Sequence, residues 1–236
     1  MRNLPAPSRV LPFMLIALLA TGNAWAEKAA TVTNLSGTVA DLKVDGTTRI
    51  LSLLSDVDAG DTLSTQAGTY ARLKFRDGGE VVLRPNTVFK VNNYRFQPEK
   101  PKQDSFFVSL LKGGARFVSG LIGHRGNTDA YNLRTPAATI GIRGTDYSVL
   151  ICQGDCAELP NGTYTNTHSG AIFQANRHGS LDCAAGQSCF SAPGRRPVFL
   201  PKVPKGLNFT PPPAILDKIN GDAVIDSAGH KECVVR

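Results

Sequence analysis

From Ala30 to about Phe190, apolar and polar residues alternate with a period of two, and Gly, Asp-Gly or Pro breaks the alternation every few residues. A strand sends successive side chains to opposite faces, whereas a helix needs a period near 3.6, so this stretch admits strands and leaves no room for a long amphipathic helix. Residues 38–44 and 48–54 flank Asp45-Gly46, a pair that suits a type I′ hairpin turn. The cleanest strand is 70–76 (YARLKFR), in which Ala71, Leu73 and Phe75 point one way and Tyr70, Arg72, Lys74 and Arg76 the other. Asp77-Gly78-Gly79 turns the chain into 80–84, and Pro85-Asn86 turns it again into 87–94. Beyond a polar loop at 97–104, further short strands are expected at 106–111, 115–119, 131–134, 139–143, 147–152, 162–167 and 171–176. Turns are expected at Lys112-Gly113-Gly114, Pro136 and Gly144. The expected class is all-β: an antiparallel β-roll or sandwich of short strands, over residues 27–190.

After residue 190 the character changes. Seven prolines stand between 191 and 213, and proline lacks the N–H that a sheet interior requires. Residues 191–236 therefore read as a Pro-rich extension, either packed across the sheet or exposed as an extended docking segment. One short helix is expected at 214–219, between Pro213 and Asn220-Gly221.

The N-terminus sets the compartment. Arg2 and Arg9 precede or flank an apolar run of 11 residues, 10–20, and Ala24-Trp25-Ala26 has the small-x-small form of a cleavage site. Residues 1–26 read as a secretory signal peptide, placing the mature chain in the periplasm or outside the cell. Loss of Arg2 and Arg9 lowers the net charge from +7 to +5. On an exported protein this basic surface faces envelope polymers, lipid or an acidic protein patch rather than nucleic acid. The five cysteines are Cys152, Cys156, Cys183, Cys189 and Cys233. In an oxidising compartment they read as disulfides, with Cys233 left over. Sequence leaves three connectivities of the first four open, of which the local pairs are favoured. The spacings CQGDC and CAAGQSC are looser than zinc ribbons use, so no metal is assigned, although His168 and His178 lie between them.

The order of short motifs resembles the FecR domain family of bacterial envelope proteins. The matching runs are 59–91 (AGDTLSTQAGTYARLKFRDGGEVVLRPNTVFKV), 110–120 (LLKGGARFVSG), 131–149 (YNLRTPAATIGIRGTDYSV) and, more loosely, 162–188. The resemblance implies an all-β module that recognises other proteins and has no enzymatic activity. Its best-known members are anti-sigma regulators that relay a siderophore-receptor signal, with a cytoplasmic sigma-binding segment, a membrane helix and a periplasmic FecR domain. Here the signal peptide stands where that segment and helix would be, so only the periplasmic module carries over. The signature residues are Gly60, Asp61, Asp77, Gly78, Pro85, Thr135, Pro136, Arg143, Gly144 and Thr145. Their chemistry is that of turns, with Arg143 the exception: in an apolar strand it should bridge neighbours through a buried carboxylate or carbonyls, the alternative being a recognition role that the same guanidinium fork suits.

No catalytic constellation appears. The four histidines have no nucleophile motif beside them, and there is no G-x-S-x-G, H-E-x-x-H or Walker loop. No cofactor is implied. Arg72, Lys74, Arg76 and Arg84 form a basic strip that serves either as a solvated sheet face or as an anion- or partner-binding surface. The expected function is an exported, non-enzymatic protein-interaction or signal-sensing module, with another envelope protein as partner. The alternative is a carbohydrate-binding module for peptidoglycan or an anionic surface polysaccharide.

Overall fold

Three long strands that each bend at a glycine organise the architecture. The computed structural model describes residues 27–125 and 129–216. The expected signal peptide (1–26), Cys233, His230 and the C-terminal part of the expected 214–219 helix lie outside the described residues. Strand β9 (Ser105–Val118) runs unbroken through the site of an expected turn, bending at Gly113 with φ +78. A Cβ there would lie 2.5 Å from Thr87 Oγ1, so glycine is needed for both the backbone angle and the close approach. In the same way β11 (Thr139–Cys152) bends at Gly144 and β12 (Gly162–Asn176) bends at Gly170. The glycines expected to end strands instead kink them.

The bends fold one continuous sheet over on itself into two layers. The first layer holds β1 (Lys28–Leu35), β4 (Asp56–Asp58), β6 (Ala71–Phe75), β7 (Glu80–Leu83), the second arms of β9 and β11, the first arm of β12, β14 (Ser188–Ser191) and β15 (Val198–Leu200). The second holds β2 (Val39–Leu42), β3 (Thr48–Ile50), β5 (Thr62–Thr65), β8 (Val88–Arg95), β10 (Tyr131–Arg134), β13 (Gly179–Ala184) and the remaining arms of the long strands. The all-β class holds. The sheet is mixed rather than purely antiparallel, because β10 pairs parallel to β9. The connection from 119 to 130 carries the chain back to the start of β9, and a parallel pair requires such a crossover.

Inward faces of both layers meet in an aromatic core. Phe75 packs on Phe106 (centroids 4.9 Å), Phe117 stacks on Tyr147 (5.1 Å), and the hydroxyls of Tyr131 and Tyr147 meet at 2.9 Å between the layers. The hairpin at Asp45-Gly46 is not type I′. Only Gly46 has positive φ, Gly46 N–H donates to Lys43 O and Lys43 N–H to Thr47 O: a type I turn closed by a left-handed residue. Asp45 Oδ1, which accepts from both the N–H and the hydroxyl of Thr47, stabilises that form.

Strands β13, β14 and β15 extend the β region beyond residue 176, where sequence closed it. The Pro-rich segment is a strap. After β15 it crosses the outer face of the first layer: Leu207 is buried against Leu150 and Tyr164, Asn208 accepts from Asn166, Phe209 covers Arg84, and Ala214 O accepts from Asn34 on β1. One helical turn, α1 (Pro213–Leu216), ends the described chain.

Candidate functional site

The signature residues hold turns and bends. Gly60 takes φ +98, and Asp61 Oδ2 accepts the Asp58 N–H at 2.8 Å. Asp77 is buried. Its carboxylate accepts from Gly79 N–H and Ile122 N–H, and its own N–H donates to Tyr94 Oη at 2.8 Å. Gly78, at φ +88, closes that turn, and Pro85 leads into Asn86 at φ +56. Thr135 Oγ1 accepts Ala138 N–H and meets Thr163 Oγ1 at 2.8 Å, fixing the turn through Pro136. Thr145 Oγ1 donates to Ala171 O at 2.7 Å, beside the bend at Gly144, and ties the irregular step of β11 to β12. Arg143 departs from expectation. It is exposed just before that step and makes no ion pair among the described residues, because the alternation that turns Ile140 and Ile142 inward turns Arg143 outward.

Every cation of the basic strip has a partner, although two carboxylates serve three of the four and the fourth meets no acid. Glu80 on β7 lies between Arg72 and Lys74 on β6, accepting from Arg72 and from Lys74 Nζ at 2.8 Å. Burial pushes the Glu80 pKa up, but the hydrogen bonds and charges of Lys74 and Arg72 outweigh it and hold the carboxyl below its usual value. Arg76 pairs with Glu27 at 2.8 Å. Arg84 lies under the strap, donating to Gly206 O with its guanidinium 4.8 Å from the centre of the Phe209 ring.

Further along this face, Arg116 grips Asp146 with two hydrogen bonds of 2.9 and 2.6 Å, and Ser148 Oγ meets His168 Nε2 at 2.8 Å. The second pair has the look of a nucleophile and its base. Asn166 argues against that role. Ser188 Oγ donates to Asn166 Oδ1, which leaves the Asn166 amide nitrogen 3.3 Å from His168 Nδ1 as a donor. The imidazole proton then sits on Nε2 and points at Ser148, so the ring cannot take the serine proton. Ser148 is also buried. Burial pushes the His168 pKa down, keeping the ring neutral.

A second cluster was invisible in the sequence, because its members are scattered over 41–61. Lys43 Nζ donates to Asp58 and Asp61, each at 2.7 Å, and Arg49 Nε donates to Asp41 at 2.9 Å. Asp41 is fully buried and burial raises its pKa. The lysine ammonium fills the space between the carboxylates, so the cluster braces β2 against the β4–β5 turn. Among the described residues, no group of three His, Cys, Asp or Glu side chains is placed to hold a metal. The cysteines sit in two local pairs, Cys152 with Cys156 (Cα–Cα 5.3 Å) and Cys183 with Cys189 (6.5 Å).

The surface feature that sequence alternation did not single out is an apolar arm. Strand β3 pairs only with β2, leaving one edge open, and its residues are all exposed. Around it Leu42, Val44, Ile50, Leu53 and Leu54 face solvent, with Val44, Ile50 and Leu54 at 76, 63 and 68% exposure. Leu54 also holds φ +64, a conformation that costs a non-glycine residue energy.

Residues 61–172 match the family model described as FecR protein. Two crystal structures of a candidate anti-sigma factor from Parabacteroides distasonis ATCC 8503 are similar over 59% of this chain and 58% of theirs, at 16% identity and TM-scores of 0.46 and 0.45. The chain thus spans a little over half the length of those proteins. A cell surface anchoring domain matches over 26% of this chain and 82% of its own, at 26% identity and a TM-score of 0.26. No curated protein matches the sequence. Among the described residues no helix is long and apolar enough to cross a membrane.

Proposed function

We propose, from the premise that residues 61–172 are a FecR domain, that the chain is an exported, non-enzymatic protein-interaction module that senses or relays a signal in the bacterial envelope. The domain family is regulatory rather than catalytic. Export is supported by the leader-like segment 1–26 and by two cysteine pairs at disulfide distance. The folded unit would comprise residues 27–190, with the described part of the Pro-rich extension, 191–216, bracing it.

The apolar arm carries this reading. Five large apolar side chains crowd within 13 residues beside an unpaired strand edge, a combination that monomeric proteins avoid unless a partner covers it. A partner strand could pair with β3 while apolar side chains cover Ile50 and Leu54. The polysaccharide alternative rested on the strip of Arg72, Lys74, Arg76 and Arg84, whose side chains are engaged by Glu80, Glu27 and the strap.

A photo-crosslinking residue at Ile50, in the native envelope, tests the arm. The expected result is one dominant protein captured from Ile50, with capture lost on Leu53→Asp and absent from a control position at Lys102. Equal capture from both positions, or capture unaffected by Leu53→Asp, would overturn the reading, as would capture of peptidoglycan alone.

A further inference from the structure

Among the described residues, four arginines without an ion pair, Arg134, Arg177, Arg195 and Arg196, belong to three segments around one cleft that the basic strip does not touch. The turn between β10 and β11 forms one wall, with Arg134, Thr135 and Pro136. The turn between β12 and β13 forms a second, with Arg177 and His178, and Gly194 marks a third. The space between them is about 400 Å³, within the range of small-ligand sites. Arg195 and Arg196 follow Gly194 directly, and the Arg196 side chain lies over Gly179 at the cleft's edge.

The walls are fixed to one another. Asn176 donates from its amide nitrogen to Ala137 O at 3.3 Å and to Arg195 O at 2.7 Å, so one side chain ties all three segments. Thr135 locks its own turn through Ala138. Arg134 is held with its guanidinium 4.8 Å from the centre of the Phe107 ring. Arg177 Nε donates to His178 Nε2 at 2.9 Å.

Across the described residues, Arg134, Arg177, Arg195 and Arg196 form no ion pair, and no Asp or Glu lines the cleft. Asp182, the acid nearest in register on β13, pairs opposite Phe173 further up the sheet. The contrast with Arg72, Arg76 and Arg116, each matched by a carboxylate, is sharp. Guanidinium groups are planar forks suited to bidentate oxyanion binding. Arg134 and Arg177 at the walls, with the Arg196 side chain beside Gly179, offer more donors than the two oxygens of a single carboxylate can take up, whereas phosphate presents its oxygens in several directions.

We propose that this cleft binds a phosphate-bearing ligand, with Arg134 and Arg177 as the principal donors and Arg195 and Arg196 completing the rim. The site is separate from the apolar arm, and it stands whether or not that arm docks a protein.

Calorimetry of residues 27–236 with inorganic pyrophosphate at low salt is the first arm of the test, and co-sedimentation with phosphatidylglycerol vesicles, against neutral vesicles, is the second. Expected is saturable binding that falls at least tenfold in Arg134→Gln/Arg177→Gln and is unchanged in Lys74→Gln. Both substituted arginines are exposed, and an unaltered melting temperature would confirm that each variant folds. Binding of pyrophosphate alone assigns a free phosphate; vesicle binding lost in the same double variant assigns a headgroup. No saturable binding in either arm, or binding equally weakened by Lys74→Gln, would overturn the proposal.

Discussion

The half of the molecule around β6–β9 and the half around β12–β14 solve the same packing problem with different chemistry. The first is filled by Leu63, Leu73, Phe75, Leu83, Phe89 and Phe117, all essentially inaccessible. In the second, the inward positions of β12 are Thr163, Thr165 and Thr167, equally inaccessible, with Gln174 and Ser191 beside them. Thr165 Oγ1 donates to Gln174 Oε1 at 2.8 Å, and Gln174 Nε2 donates to Ser191 Oγ at 2.6 Å. A hydrogen-bonded ladder therefore replaces apolar mass, and both cysteine pairs lie in this half. Charge divides along the same line. The first half carries most of the ion pairs, while the second gathers its arginines around the cleft. The side with the apolar core holds most of its carboxylates in ion pairs, whereas the side held by hydrogen bonds leaves the cleft arginines unpaired among the described residues.

The largest expected effect separates the two cores directly. Phe117→Ala removes a ring packed between Phe89 and Tyr147 and should cost about 3–5 kcal/mol. Thr165→Val keeps the volume but strands Gln174 Oε1, and should cost about 1–3 kcal/mol. Urea denaturation of both variants measures the difference. A Thr165→Val loss as large as that of Phe117→Ala would show that the ladder is as critical as the aromatic core.

Reduction comes next. The two bridges close loops of only a few residues, so each contributes about 2 kcal/mol at most. Reductant should lower the melting temperature while leaving the β-sheet circular dichroism in place, and amide exchange should quicken in β13 and β14 before it does in β6 and β7. Collapse of the whole spectrum at moderate reductant would erase the distinction between the halves.

The halves also differ in how far they could be read from sequence. Strands 70–76, 80–84 and 87–94 were legible because strict alternation met turn residues that reverse the chain, and they appear as β6, β7 and β8 within a residue or two. Gly113, Gly144 and Gly170 offered the same local signal but bend the strands without ending them. Positive φ permits either outcome, and only pairing with neighbours across the fold decides between them. Strand β15 was hidden between Pro197 and Pro201; proline is tolerated there because the strand lies at an edge. The strip was legible as a row of cations, but its partners were not, since Glu80 reaches Arg72 and Lys74 only through the β6–β7 register. The cleft arginines come from three segments spread between residues 134 and 196, and nothing in the sequence joins Arg134, Arg177 and the Arg195-Arg196 pair.

The smallest effect is a pair of pH windows, one for each half. Glu80 has its pKa held below the ordinary 4.5, the Lys74 and Arg72 partners outweighing burial, so its stabilisation is complete above 4.5 and is lost as pH falls through the depressed value. Screening by solvent limits it to less than about 1 kcal/mol. His168 has its pKa pushed below 6.5, with burial as the largest cause. The native state therefore resists protonation there, and its stabilisation is present above 6.5 and lost as pH falls through the lowered value. Acidification from pH 7 should weaken the β12 half first and the β6–β7 half only below 4.5. His168→Gln should flatten the upper slope of stability against pH and leave the lower one; Glu80→Gln should do the reverse. Either substitution flattening both slopes would mean that the halves titrate as a single unit, and that the chemical division between them has no counterpart in their electrostatics.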